Sequence, residues 1–140
     1  MKLRAMSWNP NLRNRGGYEN PHGVCSRNKA ELIDFAAHQP GDVFTGINTR
    51  KLGVVNAKKD EILEITCIAV DVDFKRAPFE KFERAVESIC FQPTLVINSG
   101  KGRHVYWMID PIQRTPESQA FCEATGKSLA ARLGATVATT

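Results

Sequence analysis

The segment Ile62 to Phe74 constrains this chain more than any other. It is rich in β-branched residues and too regular for a loop. On a strand, successive side chains point to opposite faces. One face then carries Thr66, Ile68, Val70, Val72 and Phe74, almost wholly apolar. The other carries Cys67, Ala69, Asp71 and Asp73, small at first and then acidic. Such a strand needs helices on one side and leaves the other side open, with two carboxylates on it.

The following residues supply those helices. Phe79, Phe82, Val86, Ile89 and Cys90 recur at helical spacing and predict an apolar stripe on a helix from Pro78 to Cys90. Thr94 to Asn98 reads as a strand, Ser99-Gly100-Lys101-Gly102-Arg103 as a tight turn, and His104 to Ile109 as the returning strand. A last helix starts at Thr115, with Thr as cap and Pro116 at the first helical position, and stops near Leu133-Gly134. Phe121, Ala124, Leu129 and Leu133 are expected on its buried side. The order strand, helix, strand, turn, strand, helix lacks one strand of a βαββαβ ferredoxin-like unit. Ala135 to Thr140 reads as the opening of that strand.

Upstream, residues 1–26 are read as a basic, largely irregular arm and residues 27–140 as the core. Asn-Pro, Gly-Gly and Pro-His-Gly punctuate the arm. A helix is expected from Lys29 to His38, capped by Asn28, with Glu31 as the third residue of a capping box and Pro40-Gly41 ending it. Val43 to Ile47 reads as a strand leading into Asn48-Thr49-Arg50, and Lys51 to Asp60 as a polar loop.

The first 30 residues hold six basic groups against the single acid Glu19, whereas the rest of the chain is nearly neutral. A basic arm suits a polyanion such as nucleic acid. With 140 residues, 42% of them hydrophobic and 24% charged, the chain fits one globular core. No apolar run approaches the roughly 20 residues that span a bilayer, and Met1 to Trp8 lack the apolar stretch of a secretion signal. The four cysteines, at 25, 67, 90 and 122, form no Cys-x-x-Cys pair, which argues against zinc and against a disulfide framework. Cys67, Cys90 and Cys122 fall in apolar patterns and are expected as buried thiols, consistent with a reducing cytoplasm.

Two constellations carry chemistry. Asp71 and Asp73 point the same way, about 6–7 Å apart along a strand. Aligned carboxylates offer the hard oxygen ligands that divalent cations prefer. Ser99 to His104 is the second. Its glycines let backbone amides approach a phosphate, and Lys101 and Arg103 add positive charge. If the strands pair around this turn, Ser99 faces His104. Tyr106 and Met108 continue that open face, and Val105, Trp107 and Ile109 turn to the helices.

Val70-Asp71-Val72-Asp73-Phe74 and Ser99-Gly100-Lys101-Gly102-Arg103-His104-Val105-Tyr106-Trp107 together resemble the archaeo-eukaryotic primase superfamily, above all its plasmid- and phage-encoded primase–polymerases. In that family an RRM-like core carries an acidic hDhD motif followed by Ser-Gly-x-Gly-x-His. The resemblance spans residues 43–134. It implies an α/β, RRM-like fold and template-directed nucleotidyl transfer, a DNA primase activity in plasmid or phage replication. Asp71 and Asp73 would hold two Mg2+ or Mn2+ ions, and His104 would contact the triphosphate of the incoming nucleotide. Ser99, Gly100, Lys101, Gly102 and Arg103 would help seat it, with Arg50 a further candidate. The implied partners are an NTP or dNTP, a single-stranded DNA template tracked by the basic arm, and a replicative helicase domain or protein.

The chain departs from the family at the third acid, which follows the second helix there. Ala135 to Thr140 contain none. Asp110 lies six residues beyond His104, roughly 20 Å along an extended strand, and Glu117 and Glu123 belong to the last helix. The expectation is therefore a catalytic core that is incomplete or degenerate. Two other classes compete: a non-catalytic RRM-like module that binds nucleic acid or nucleotide by stacking on Tyr106, and another two-metal enzyme such as a nuclease or a nucleotide-sugar transferase.

Overall fold

A computed structural model describes residues 4–7, 23–25, 28–38, 43–50, 59–75 and 78–135. The chain divides within one long strand into two units, Met1–Glu64 and Ile65–Thr140.

In the first unit, β1 (Arg4–Ser7), β2 (Gly23–Cys25) and β3 (Val43–Thr45) form an antiparallel sheet in the order β2-β1-β3. The expected irregular arm thus contributes two strands. Met6 pairs with both Gly23 and Phe44. Partners so distant in sequence leave no local periodicity, so strands this short read as turns. Helix α1 (Lys29–Ala37) is capped as expected, the Asn28 side chain accepting from the Ala30 N–H at 2.9 Å. The expected stop at Pro40-Gly41 lies outside the described residues. Strand β4 (Thr49–Arg50) pairs with the first residues of β5 (Ile62–Asp73), Thr49 opposite Glu64 and Arg50 opposite Ile62. Thr49 is buried, and its hydroxyl accepts from the Glu64 N–H at 3.1 Å.

The second unit runs through the rest of β5, α2 (Phe79–Ser88), β6 (Leu95–Asn98), β7 (Gly102–Gln113) and α3 (Pro116–Arg132). It is mixed α and β. Its strands lie in the order β5-β7-β6. Val70, Val72, Val105 and Trp107 from the sheet pack with Phe82 of α2, Ile89 just after it, and Ala130 and Leu133 at the end of α3. Burial of these apolar side chains holds both helices on one face of the sheet. The expected capping residue Thr115 begins α3, accepting from the Ser118 N–H at 3.1 Å, and Gly134 ends it at φ 72°.

Three expectations are corrected here. The second face of β5 is not open throughout: Leu63, Ala69, Asp71 and Asp73 are exposed, whereas Ile65 and Cys67 on that face are buried. From Cys67 onward burial follows composition, which changes from apolar to acidic by Asp71. Cys90 is exposed. Helix α2 stops at Ser88 and Ile89 is extended (φ −77°, ψ 130°), so Cys90 leaves the helical stripe. Gln92 seals that helix end, its amide donating to the Val86 and Ile89 carbonyls at 3.1 and 2.9 Å. Phe121 is 68% exposed and Ala124 is exposed, while Cys122, Ala130 and Leu133 are buried. Phe121 sits about 100° around the helix from Cys122, so the buried stripe runs through Cys122, Leu129, Ala130 and Leu133 instead.

Candidate functional site

The open face of the second unit's sheet is assembled by strand register. The Phe74 N–H donates to the Lys101 carbonyl at 3.0 Å, and Gly102 lies against the Val72 carbonyl and the Asp73 Cα. These contacts set β5 and β7 antiparallel, with Asp71 beside His104. Between β6 and β7, Leu95 pairs with Tyr106, Ile97 with His104 and Asn98 with Arg103. One face of the sheet therefore presents Asp71, Asp73, His104, Tyr106 and Ile97. The other presents Val70, Val72, Arg103, Val105 and Trp107.

Asp71 Oδ1 lies 3.6 Å from His104 Nε2, and the two side chains are 66% and 45% exposed. An exposed carboxylate beside an imidazole can bind a cation, or can orient the ring as a donor to an anion. Asp73 is exposed at the strand end, where its Oδ1 accepts from the Lys75 N–H at 2.9 Å. The Tyr106 ring stands edge-on to His104 with centroids 6.5 Å apart. Burial pushes the Tyr106 hydroxyl above its ordinary pKa, and the neighbouring Cys67 and Asp71 push in the same direction.

The turn between β6 and β7 is shorter than the sequence reading implies. The Ser99 N–H donates to the Gly102 carbonyl at 3.2 Å, leaving Gly100 and Lys101 as the loop. Ile97, not Ser99, lies opposite His104. Ser99 closes the turn two residues further along. Because the side-chain period of a strand is two, that displacement keeps it on the His104 face. Gly100 adopts φ 87°, where a side chain is disfavoured. Lys101 is exposed at the tip.

Arg103 stands apart from the other candidates of the second unit. Its guanidinium lies on the helix-bearing face, 5.2 Å from the centroids of both the Phe74 and Phe79 rings. Its Nη1 donates to Asn98 Oδ1 and to its neighbour Gly102's carbonyl, each at 2.9 Å. The same Asn98 oxygen accepts from the Gly100 N–H at 2.9 Å. Sequence reasoning passed over Asn98, although an Asn two residues before a glycine is an Asx-turn signal. Arg50 lies on β4 in the first unit.

The donor set suits a hard divalent cation: two solvent-reached carboxylates at alternate positions of one strand. Among the described residues no three His, Cys, Asp or Glu side chains converge on one point. Among the described residues no helix is long and apolar enough to cross a membrane. Compared with protein-family models, curated proteins and solved structures, the chain matches none.

Proposed function

We propose that this chain binds a nucleoside triphosphate with Mg2+ or Mn2+ and presents the catalytic face of a primase–polymerase, joining nucleotides on a single-stranded DNA template in plasmid or phage replication. The observation that carries the reading is the meeting of Asp71 and His104 on an exposed sheet face, with the Ser99–Gly102 turn tied to the end of the same strand that bears Asp73. In this reading the second unit is an RRM-like core up to its last strand, working in the cytoplasm beside a replicative helicase. The resemblance of the two motifs and their order along the chain support it.

Asp71 and Asp73 would hold the cations, which supply charge neutralisation of the triphosphate and activation of the attacking oxygen when bound. His104 offers an N–H to a phosphate oxygen, with Asp71 beside it to orient the ring. Ser99 and Lys101 offer a hydroxyl and an ammonium at the turn, and the glycines keep the backbone accessible to phosphate. In the transfer, a 3′ hydroxyl would give its proton to solvent, its oxygen would bond to the α phosphorus, and the bond from that phosphorus to the bridging oxygen would break to release pyrophosphate.

The test is titration of the chain with a fluorescent ATP analogue, with Mn2+ and then with excess EDTA. Binding that needs the metal, and that Asp71→Ala, Asp73→Ala and His104→Ala each weaken, supports the reading. Equal binding by the wild type and all three variants overturns it. Metal-independent binding of single-stranded RNA or DNA, lost in Tyr106→Ala, would instead favour a stacking module built on the His104–Tyr106 ring pair.

A further inference from the structure

We infer that Arg103 is a positioning residue which acts on the nucleotide site through the Asn98 side chain and the Ser99–Gly102 turn, not by contact with the triphosphate. The inference rests on the nucleotide-binding reading above and departs from what the family resemblance implies for this arginine.

The geometry forms a brace behind the turn. The guanidinium lies 5.2 Å from the centroids of two aromatic rings, Phe74 at the end of β5 and Phe79 at the start of α2. From there it donates to Asn98 Oδ1, the atom that also accepts the Gly100 N–H. A second donation, to the Gly102 carbonyl, grips the other end of the loop. Glycine reaches the φ of 87° at Gly100 without strain but reaches many other conformations as readily, so the two hydrogen bonds select this one. On the opposite side the Lys101 carbonyl accepts from the Phe74 N–H. The turn is therefore fixed to the strand that carries Asp71 and Asp73, and Arg103 reaches it from the face opposite those two carboxylates. A planar guanidinium can satisfy rings and two acceptors together, whereas an ammonium cannot match that geometry. A phosphate bound on the Asp71–His104 face meets Ser99 and the loop backbone, with the sheet between it and the guanidinium.

The experiment compares Asn98→Ala, Asn98→Asp, Arg103→Met and the Asn98→Ala/Arg103→Met double variant in the full chain. Two quantities are read: Mn2+-dependent affinity for a fluorescent ATP analogue, and amide exchange at Gly100 without nucleotide. Asn98→Ala and Arg103→Met should each weaken ATP binding roughly tenfold, the size of one lost hydrogen bond to a charged group. The double variant should be no weaker than the worse single, because both changes break one linkage. Asn98→Asp keeps the acceptor oxygen and should bind within a few fold of wild type, although it adds negative charge near a polyanion. Gly100 exchange should quicken in Asn98→Ala and Arg103→Met and stay slow in Asn98→Asp. Loss of ATP affinity in Arg103→Met with none in Asn98→Ala, or additive losses, overturns the brace and makes Arg103 a direct ligand. Unchanged Gly100 exchange in both variants overturns it without reference to nucleotide. Failure of the wild type to bind ATP overturns the nucleotide reading itself, and with it the role assigned to Arg103, even where the exchange rates show the brace.

Discussion

His104 Nε2 and Asp71 Oδ1 stand 3.6 Å apart on adjacent strands, with the Asp71 side chain exposed and the His104 ring half-buried. An exposed pair of this kind adds little to folding. Asp71→Ala and His104→Ala should therefore each shift the free energy of unfolding by no more than about 0.5 kcal/mol in urea titration. A loss of several kcal/mol would make the pair a structural element and remove the reason for reading it as a site.

The two glycines of the turn should respond differently to alanine. At Gly100 a Cβ meets nothing within 4 Å, so the cost is that of the φ of 87°, about 1–2 kcal/mol. At Gly102 a Cβ would run into the Val72 carbonyl, which is backbone and cannot swing aside. Gly102→Ala should part β5 from β7 at the end that carries Asp73, costing about 3 kcal/mol or more. Urea midpoints that rank Gly100→Ala as the more damaging change would contradict the register described here.

The fully buried Leu133 that caps α3 and the 68% exposed Phe121 within it exchange the importance that residue size suggests. Leu133→Ala should destabilise by about 2–5 kcal/mol through the cavity it leaves. Phe121→Ala should stay within about 0.5 kcal/mol of wild type. Thermal or urea unfolding of the two variants measures both, and equal losses would mean that the helix presents another face.

Thiol alkylation followed by peptide mapping tests the corrected burial. Cys90 is exposed and should react ahead of Cys67 and Cys122 at neutral pH. Burial holds the Cys67 thiol above its ordinary pKa, against a backbone hydrogen bond from Trp107 that lowers it, and burial raises Cys122 likewise. Both therefore form thiolate only at higher pH than usual, and both should stay unmodified until denaturant is added. Sign matters for stability too. In the unfolded chain these thiols ionise first, so their contribution to stability falls as pH rises past the ordinary thiol value. Alkylation of Cys67 as fast as Cys90 would contradict its burial.

Removing the α3 cap makes a further measurable loss. Thr115 accepts from the Ser118 N–H at 3.1 Å, and the hydroxyl of Ser118 accepts from the Thr115 N–H at 2.8 Å. Thr115→Ala should cost about 1 kcal/mol, and Thr115→Asp, which keeps an acceptor at the helix start, should recover most of it. No difference between the two variants in urea would show that the cap does not hold this helix.

The sequence by itself determined the elements whose signals are local. Alternation from Ile62 onward defines a strand with an acidic open end, Thr115-Pro116 and Gly134 delimit α3, and Asn28 begins α1, because periodicity, caps and positive-φ glycines act over a few residues. It also placed Asp71, Asp73 and His104 on one face, since the expected pairing of Ser99 with His104 is displaced by two residues and an even displacement leaves each side chain on its face. Only the tertiary structure decided what depends on partners distant in the chain. The pairing of Met6 with Gly23 and Phe44 makes strands of segments that look irregular. The two-residue loop sets Ile97, not Ser99, against His104. The side of α3 that is buried is settled by which residues meet Val72 and Trp107 in the core. Arg103 looks in sequence like a phosphate ligand in a basic turn. Its position one residue from His104 on a strand turns it to the opposite face, where Phe74, Phe79 and Asn98 receive it.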